Sequence, residues 1–166
     1  MEIANSVSPE CARLDRHLNL LLRYQKDEII RNQLWIGDKH SVPLGNVHGV
    51  INCKQVPEIA NNCKQVPEIA NNCKQLDVFV EDVETADIAS YFDQTGEFIH
   101  SRISNNEGVL VCSDAGVSRS ATICMAYLIK YHDMSVIQAR AYVKNARDVI
   151  CPNDGFIQQL VEYAKK

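Results

Sequence analysis

The sequence has no run approaching the roughly 18 apolar residues a membrane-spanning helix needs, so no such helix is expected. Its first ten residues, MEIANSVSPE, lack the basic start and apolar centre of a secretory signal. Position 2 holds Glu2, not the glycine that myristoylation requires. Positive charge is in short supply: 17 Lys and Arg stand against 21 Asp and Glu, a net charge of −4. Nucleic acid is therefore not an expected partner, and any bound anion must be held by local geometry instead of a basic surface. The seven cysteines (Cys11, Cys53, Cys63, Cys73, Cys112, Cys124 and Cys151) are an odd set without a C-x-x-C pair. With no signal segment, reduced thiols in the cytosol or nucleus are expected, not a disulfide framework. The nucleotide-loop pattern G-x-x-x-x-G-K-[ST] is also missing.

What remains is an ordinary globular composition. Hydrophobic residues make up 46% of the 166 and charged residues 23%, enough to expect one domain with a real core. Ser8, Pro9 and Glu10 form a helix-start signal, and Leu14, Leu18, Leu21, Leu22 and Ile29 follow as one apolar stripe. Residues 1–30 thus read as an N-terminal helix packed on a domain that spans 31–166. Short apolar runs at Leu34–Ile36, Val47–Ile51, Val78–Val80 and Val109–Val111 predict strands. Ile88, Tyr91, Phe92, Ile99 and Ile103 recur at helical spacing behind a capping Asp87, and residues 120–132 are apolar almost all round, as in a buried helix. Ser135 with Gln138 is a capping-box pattern, and Asn153 opens a last helix. Strands alternating with helices predict an α/β fold: a central, mostly parallel twisted sheet of four or five strands, flanked by helices.

The ten residues CKQVPEIANN occur twice in tandem, at Cys53–Asn62 and Cys63–Asn72, with a partial third copy at Cys73–Gln75. Two copies are too few for a solenoid, so residues 53–75 read as a lengthened surface loop. The three repeated cysteines lack nearby histidines, which argues against zinc.

The stretch that carries chemistry is VLVCSDAGVSRSAT, from Val109 to Thr122. A strand runs into a small-residue loop and then into a helix starting near Arg119, an arrangement that aims backbone N–H groups and a helix N-terminus at one anion. The guanidinium fork of Arg119 suits two oxygens of that anion.

This loop resembles the V-H-C-x-A-G-x-S-R-S-A signature of cysteine-dependent dual-specificity protein phosphatases. Ala115, Gly116, Ser118, Arg119, Ser120 and Ala121 match position for position. VEDVETADIASYF is similar to the family's general-acid loop, with Asp82 at the acid position, and VKNARDVICPNDGFIQQL to its C-terminal signature. The match is continuous from about Val78 to the end, while residues 35 to 77 match poorly. The resemblance implies a phosphate-binding loop of Ser113, Asp114, Ala115, Gly116, Val117, Ser118 and Arg119. It implies catalytic positions at Ser113, Asp82, Arg119 and Ser120, and no metal or organic cofactor.

One departure stands out. The family's nucleophilic cysteine lies six positions before the arginine, where this chain has Ser113, and Cys112 takes the place of the family's histidine. A hydroxyl is protonated near neutral pH and a poorer leaving group than a thiol, so little or no turnover is expected. The chain then resembles the family's inactive (STYX-like) pseudophosphatases, which bind phosphoserine, phosphothreonine or phosphotyrosine proteins. A phosphoprotein, such as one of a kinase pathway, is the implied partner of a monomer.

Three alternatives stay open: a substrate-trapping Cys-to-Ser form of an active phosphatase, Cys112 as a shifted nucleophile, and a scaffold without phosphate binding. In the last, Arg119 pairs with Asp114 or Asp82. His100 and His132 read as bystanders on helix surfaces.

Overall fold

The structure, a computed structural model, describes residues 26–41, 45–55 and 73–166. The helix expected from Ser8 and the middle of the tandem repeat lie outside the described residues.

Five strands, β1 (Asp27–Ile30), β2 (Leu34–Asp38), β3 (Val47–Lys54), β4 (Lys74–Phe79) and β5 (Gly108–Ser113), form one sheet in the order β1-β2-β5-β3-β4. Every pairing is parallel except β1 with β2. A parallel sheet is covered on both faces, so its middle strand carries no polar alternation. β5, GVLVCS, is buried at every position. Val109 and Val111 belong to the main core, whereas Leu110 and Cys112 pack on the opposite face with Trp35, Val47 and Val50.

Four α-helices follow among the described residues: α1 (Phe92–Ser104), α2 (Arg119–Tyr131), α3 (Val136–Ala146) and α4 (Asp154–Tyr163). The α2 helix is the apolar one the sequence placed at the centre, buried from Arg119 through Ile129. It lies over β5 and β2 and packs against the other three helices. Two of the predicted caps form. Ser135 and Gln138 make the reciprocal capping box of α3, and the Asn153 side chain accepts from the Phe156 N–H at the start of α4. Asp87 does not cap α1: its carboxylate accepts from the Ser90 N–H (3.1 Å) at a short 3₁₀ turn, Ala89–Tyr91, and α1 begins only at Phe92 without a side-chain cap.

Two expectations need correction. Residues 27–30 are not the tail of an N-terminal helix but an edge strand, joined to β2 by a tight turn in which Asn32 takes φ +56°. Asn tolerates that left-handed conformation, and two apolar runs separated by Arg31-Asn32-Gln33 are a hairpin signal. Nor are residues 53–75 all loop. Cys53 and Lys54 end β3, Lys74 and Gln75 open β4, and the two strands pair in parallel. The same tripeptide Cys-Lys-Gln meets different fates in its outer copies: Cys53 is buried in the core, while Cys73 is only half-buried.

Candidate functional site

The Val109–Thr122 segment folds as the sequence suggests: β5, a loop over residues 114–118, and α2 beginning at Arg119. Successive residues on a strand face opposite ways. Ser113 therefore shares the α2-facing side with Val109 and Val111, and its hydroxyl meets that of Ser120 at 2.9 Å. Both serines are buried. Cys112 points to the other face, its thiol 3.6 Å from the Ile51 carbonyl and 3.9 Å from Asn52 Oδ1. Burial, aided by the negative charge of Asp38, pushes that thiol up to about 12. Near neutral pH it is protonated and on the wrong side of the sheet. Cys112 is not positioned as a shifted nucleophile.

The loop backbone is fixed from outside. The Asp114 carbonyl accepts from the Lys39 N–H (3.4 Å), that of Ala115 from Arg147 Nη2 (3.2 Å), that of Gly116 from Arg147 Nε (2.9 Å) and that of Val117 from the Cys151 N–H (2.9 Å). Four successive carbonyls thus face outward. In a trans peptide the N–H points opposite to the C=O, so the N–H groups of Ala115, Gly116, Val117 and Ser118 face the interior of the loop. Gly116 permits this path at φ +65°, where a Cβ would lie 2.6 Å from the Gly37 carbonyl oxygen. No side chain caps α2, because the Ser118 hydroxyl donates to Asp82 Oδ1 (2.7 Å). The uncapped positive end of the helix dipole adds to the inward N–H groups, which makes a ready anion site.

Arg119, 4% exposed, lies at this helix start. Its Nη1 donates to the Val80 carbonyl (3.2 Å) and its Nη2 to Asp114 Oδ2 (2.8 Å). Its Nε is buried without a hydrogen-bond partner, 4.0 Å from Asp82 Oδ2. A buried guanidinium N–H without an acceptor is costly unless an anion completes it. Asp82 is held beside the loop, its Oδ1 accepting from Ser118 Oγ and from Asn153 Nδ2 (2.9 Å). The arrangement can bind a tetrahedral oxyanion over the Ser113 hydroxyl, with a carboxyl group at its rim.

Sequence reasoning thus names Asp82, Ser113, Arg119 and Ser120, and the fold brings them together. It assigns no role to Arg147 or Asp27, and reads Asn153 only as a helix cap, yet all three support the site. The Arg147 Nη1 pairs with Asp27 of β1. Arg147 and Asn153 do fall inside the quoted VKNARDVICPNDGF stretch, which is the signal that could have pointed to them. His100 and His132 stack on Tyr131 and against Tyr127 on exposed helix surfaces, as expected of bystanders.

The family profile described as dual specificity phosphatase, catalytic domain, matches residues 34–166. The chain belongs to the dual-specificity phosphatase family. The dual-specificity phosphatase match begins at Leu34, well upstream of Val78, so β2 and β3 belong to it despite their poor motif resemblance. Dual specificity protein phosphatase 18 of Bos taurus is 43% identical over 84 residues, 51% of this chain and 45% of that protein. Dual specificity protein phosphatase 14 of Homo sapiens is 45% identical over 85 residues, 51% of this chain and 43% of that protein. The aligned stretch spans less than half the length of these relatives. The crystal structure of a human tyrosine phosphatase-like serine/threonine/tyrosine-interacting protein superposes with a TM-score of 0.76 at 30% identity, covering 86% of this chain and 97% of that one.

Proposed function

We propose that this chain is a phosphoprotein-binding member of the dual-specificity phosphatase family with little or no turnover, because Ser113 stands where the nucleophile acts. The observation that carries this reading is the pleat of β5. It turns the Ser113 hydroxyl toward Ser120 and α2, and the Cys112 sulfur into the opposite apolar layer. Serine there lacks the neighbouring base that activates serine nucleophiles elsewhere, since it is hydrogen-bonded to the Ser120 hydroxyl, which is too weak a base to take its proton. The inward N–H groups and the Arg119 Nε that lacks a hydrogen-bond partner favour retained phosphate binding. The related human structure is itself described as phosphatase-like and interacting. The partner on this reading is a phosphorylated protein, such as one of a kinase pathway, met by a monomer. The free thiols among the described residues suit the reducing cytosol or nucleus.

The test sets two assays on the unaltered chain side by side. Calorimetric titration with inorganic phosphate, orthovanadate and phosphopeptides is expected to give saturable binding. Hydrolysis of p-nitrophenyl phosphate is expected to stay at the buffer rate. Turnover typical of a thiol phosphatase sinks the proposal.

One observation favours a second reading, a scaffold that binds no phosphate: Asp114 already holds Arg119 Nη2 at 2.8 Å. An Asp114→Asn substitution separates the two. The carboxylate is 44% exposed, so solvent screens most of its effect. On the phosphate-binding reading, its removal strengthens phosphate binding by about 1 kcal/mol, a severalfold drop in Kd. A scaffold shows no binding before or after.

A further inference from the structure

The C-terminal end of α3 touches the anion loop from behind. Arg147, the C-cap residue of α3, donates Nε to the Gly116 carbonyl and Nη2 to the Ala115 carbonyl, while Nη1 reaches Asp27 at the start of the edge strand. Its side chain is 15% exposed, so little of this fork is free in solvent. The two carbonyls belong to the peptides that carry the N–H groups of Gly116 and Val117. The flanking peptides are held differently, by the backbone N–H of Lys39 and of Cys151. We propose that Arg147 is a positioning residue for the anion site: by fixing two adjacent carbonyls outward it aims the N–H groups of Gly116 and Val117 at the bound phosphate, and Asp27 orients its fork.

The sign of the charge sharpens the argument. Arg147 is cationic, but its donors point at carbonyls on the outer side of the loop and at Asp27, which neutralises it. Its influence on a bound anion thus runs through peptide orientation more than through long-range attraction. Gly116 makes such a clamp necessary. A glycine peptide rotates at little steric cost, so without the two donors the 115–116 and 116–117 planes can turn their dipoles away from the anion.

This inference rests on the phosphate-binding reading for its effect on affinity, but not for the geometry, and the experiment separates the two. Carbonyl ¹³C resonances of Ala115 and Gly116 in the anion-free ¹³C,¹⁵N-labelled chain report the two hydrogen bonds directly. In Arg147→Ala both are expected to move upfield, while that of Val117, held by Cys151, stays. On titration with inorganic phosphate, the unaltered chain is expected to show amide shifts at residues 115 to 118. The variant keeps those of Ala115 and Ser118, loses those of Gly116 and Val117, and binds phosphate roughly tenfold more weakly.

Arg147→Lys keeps the stem and the charge but not the fork, and is expected to behave as the alanine variant does. It also serves as the test if Arg147→Ala loses its fold, which circular dichroism reports. Full phosphate affinity in Arg147→Lys makes the role one of charge and overturns the proposal. So do unmoved Ala115 and Gly116 carbonyl resonances in either folded variant. If neither chain binds phosphate but the carbonyl resonances move as expected, the clamp stands and the phosphate-binding reading falls.

Discussion

Replacing Ser113 by cysteine is expected to turn the chain into a working phosphatase. Turnover of p-nitrophenyl phosphate should rise on the order of a hundredfold or more over the unaltered protein. The surroundings for a thiolate are already assembled. The site lies at the N-terminus of α2, with Arg119 beside it and inward N–H groups around it, which lowers a thiol pKa. The Ser120 hydroxyl meets residue 113 at 2.9 Å, within reach to assist breakdown of a phosphoenzyme. Asp82, tied to Ser118 and Asn153 at the rim of the loop, is on the proposed reading the group that would protonate the leaving oxygen. In the Ser113→Cys background, Asp82→Asn should then lower kcat by ~10²–10⁴, the usual worth of general acid catalysis. A Ser113→Cys protein that binds phosphate as before yet stays inert would mean that a further element is missing, with Cys112 in place of the family's histidine the first place to look.

The second large effect concerns binding and needs no chemistry. Arg119→Met removes the buried guanidinium whose Nε has no hydrogen-bond partner, only Asp82 Oδ2 at 4.0 Å. Two charge-assisted hydrogen bonds to an anion are each worth ~1.5–3 kcal/mol, so their joint loss is about 3–6 kcal/mol. Calorimetry should show phosphate affinity falling by ~10²–10⁴. Arg119→Lys keeps the charge but not the planar fork and should recover only part of the loss. Asp114, once released, is exposed enough to be hydrated, so the melting temperature should change less than the affinity. Unchanged phosphate binding in Arg119→Met would place the anion somewhere other than the 114–118 loop.

How far the sequence reveals this molecule follows from which interactions are local. The capping box at Ser135 and Gln138, the Asn153 cap and the buried character of α2 depend on residues a few positions apart, and each is legible. The register that separates Cys112 from Ser113 is legible too, because the resemblance to the family's signature fixes the spacing to Arg119. The β1 strand is not, because Ile29 fits the stripe of the preceding leucines as well as it fits a strand, and only pairing with β2 decides. The Arg147 fork joins groups 31, 32 and 120 positions apart, which no local pattern contains. Asp114 is intermediate: its contact with Arg119 is foreseeable from a five-residue separation, yet whether it faces the guanidinium or the solvent depends on how the loop turns.

The alternation along β5 has an evolutionary corollary. Exchanging the side chains of residues 112 and 113 would leave composition, net charge and volume untouched, yet it would carry a sulfur atom from a dry hydrocarbon layer to the mouth of an anion hole. On the proposed reading, catalysis and silence are separated by a single step along the chain, and drift could cross that boundary in either direction without disturbing the sheet that supports it.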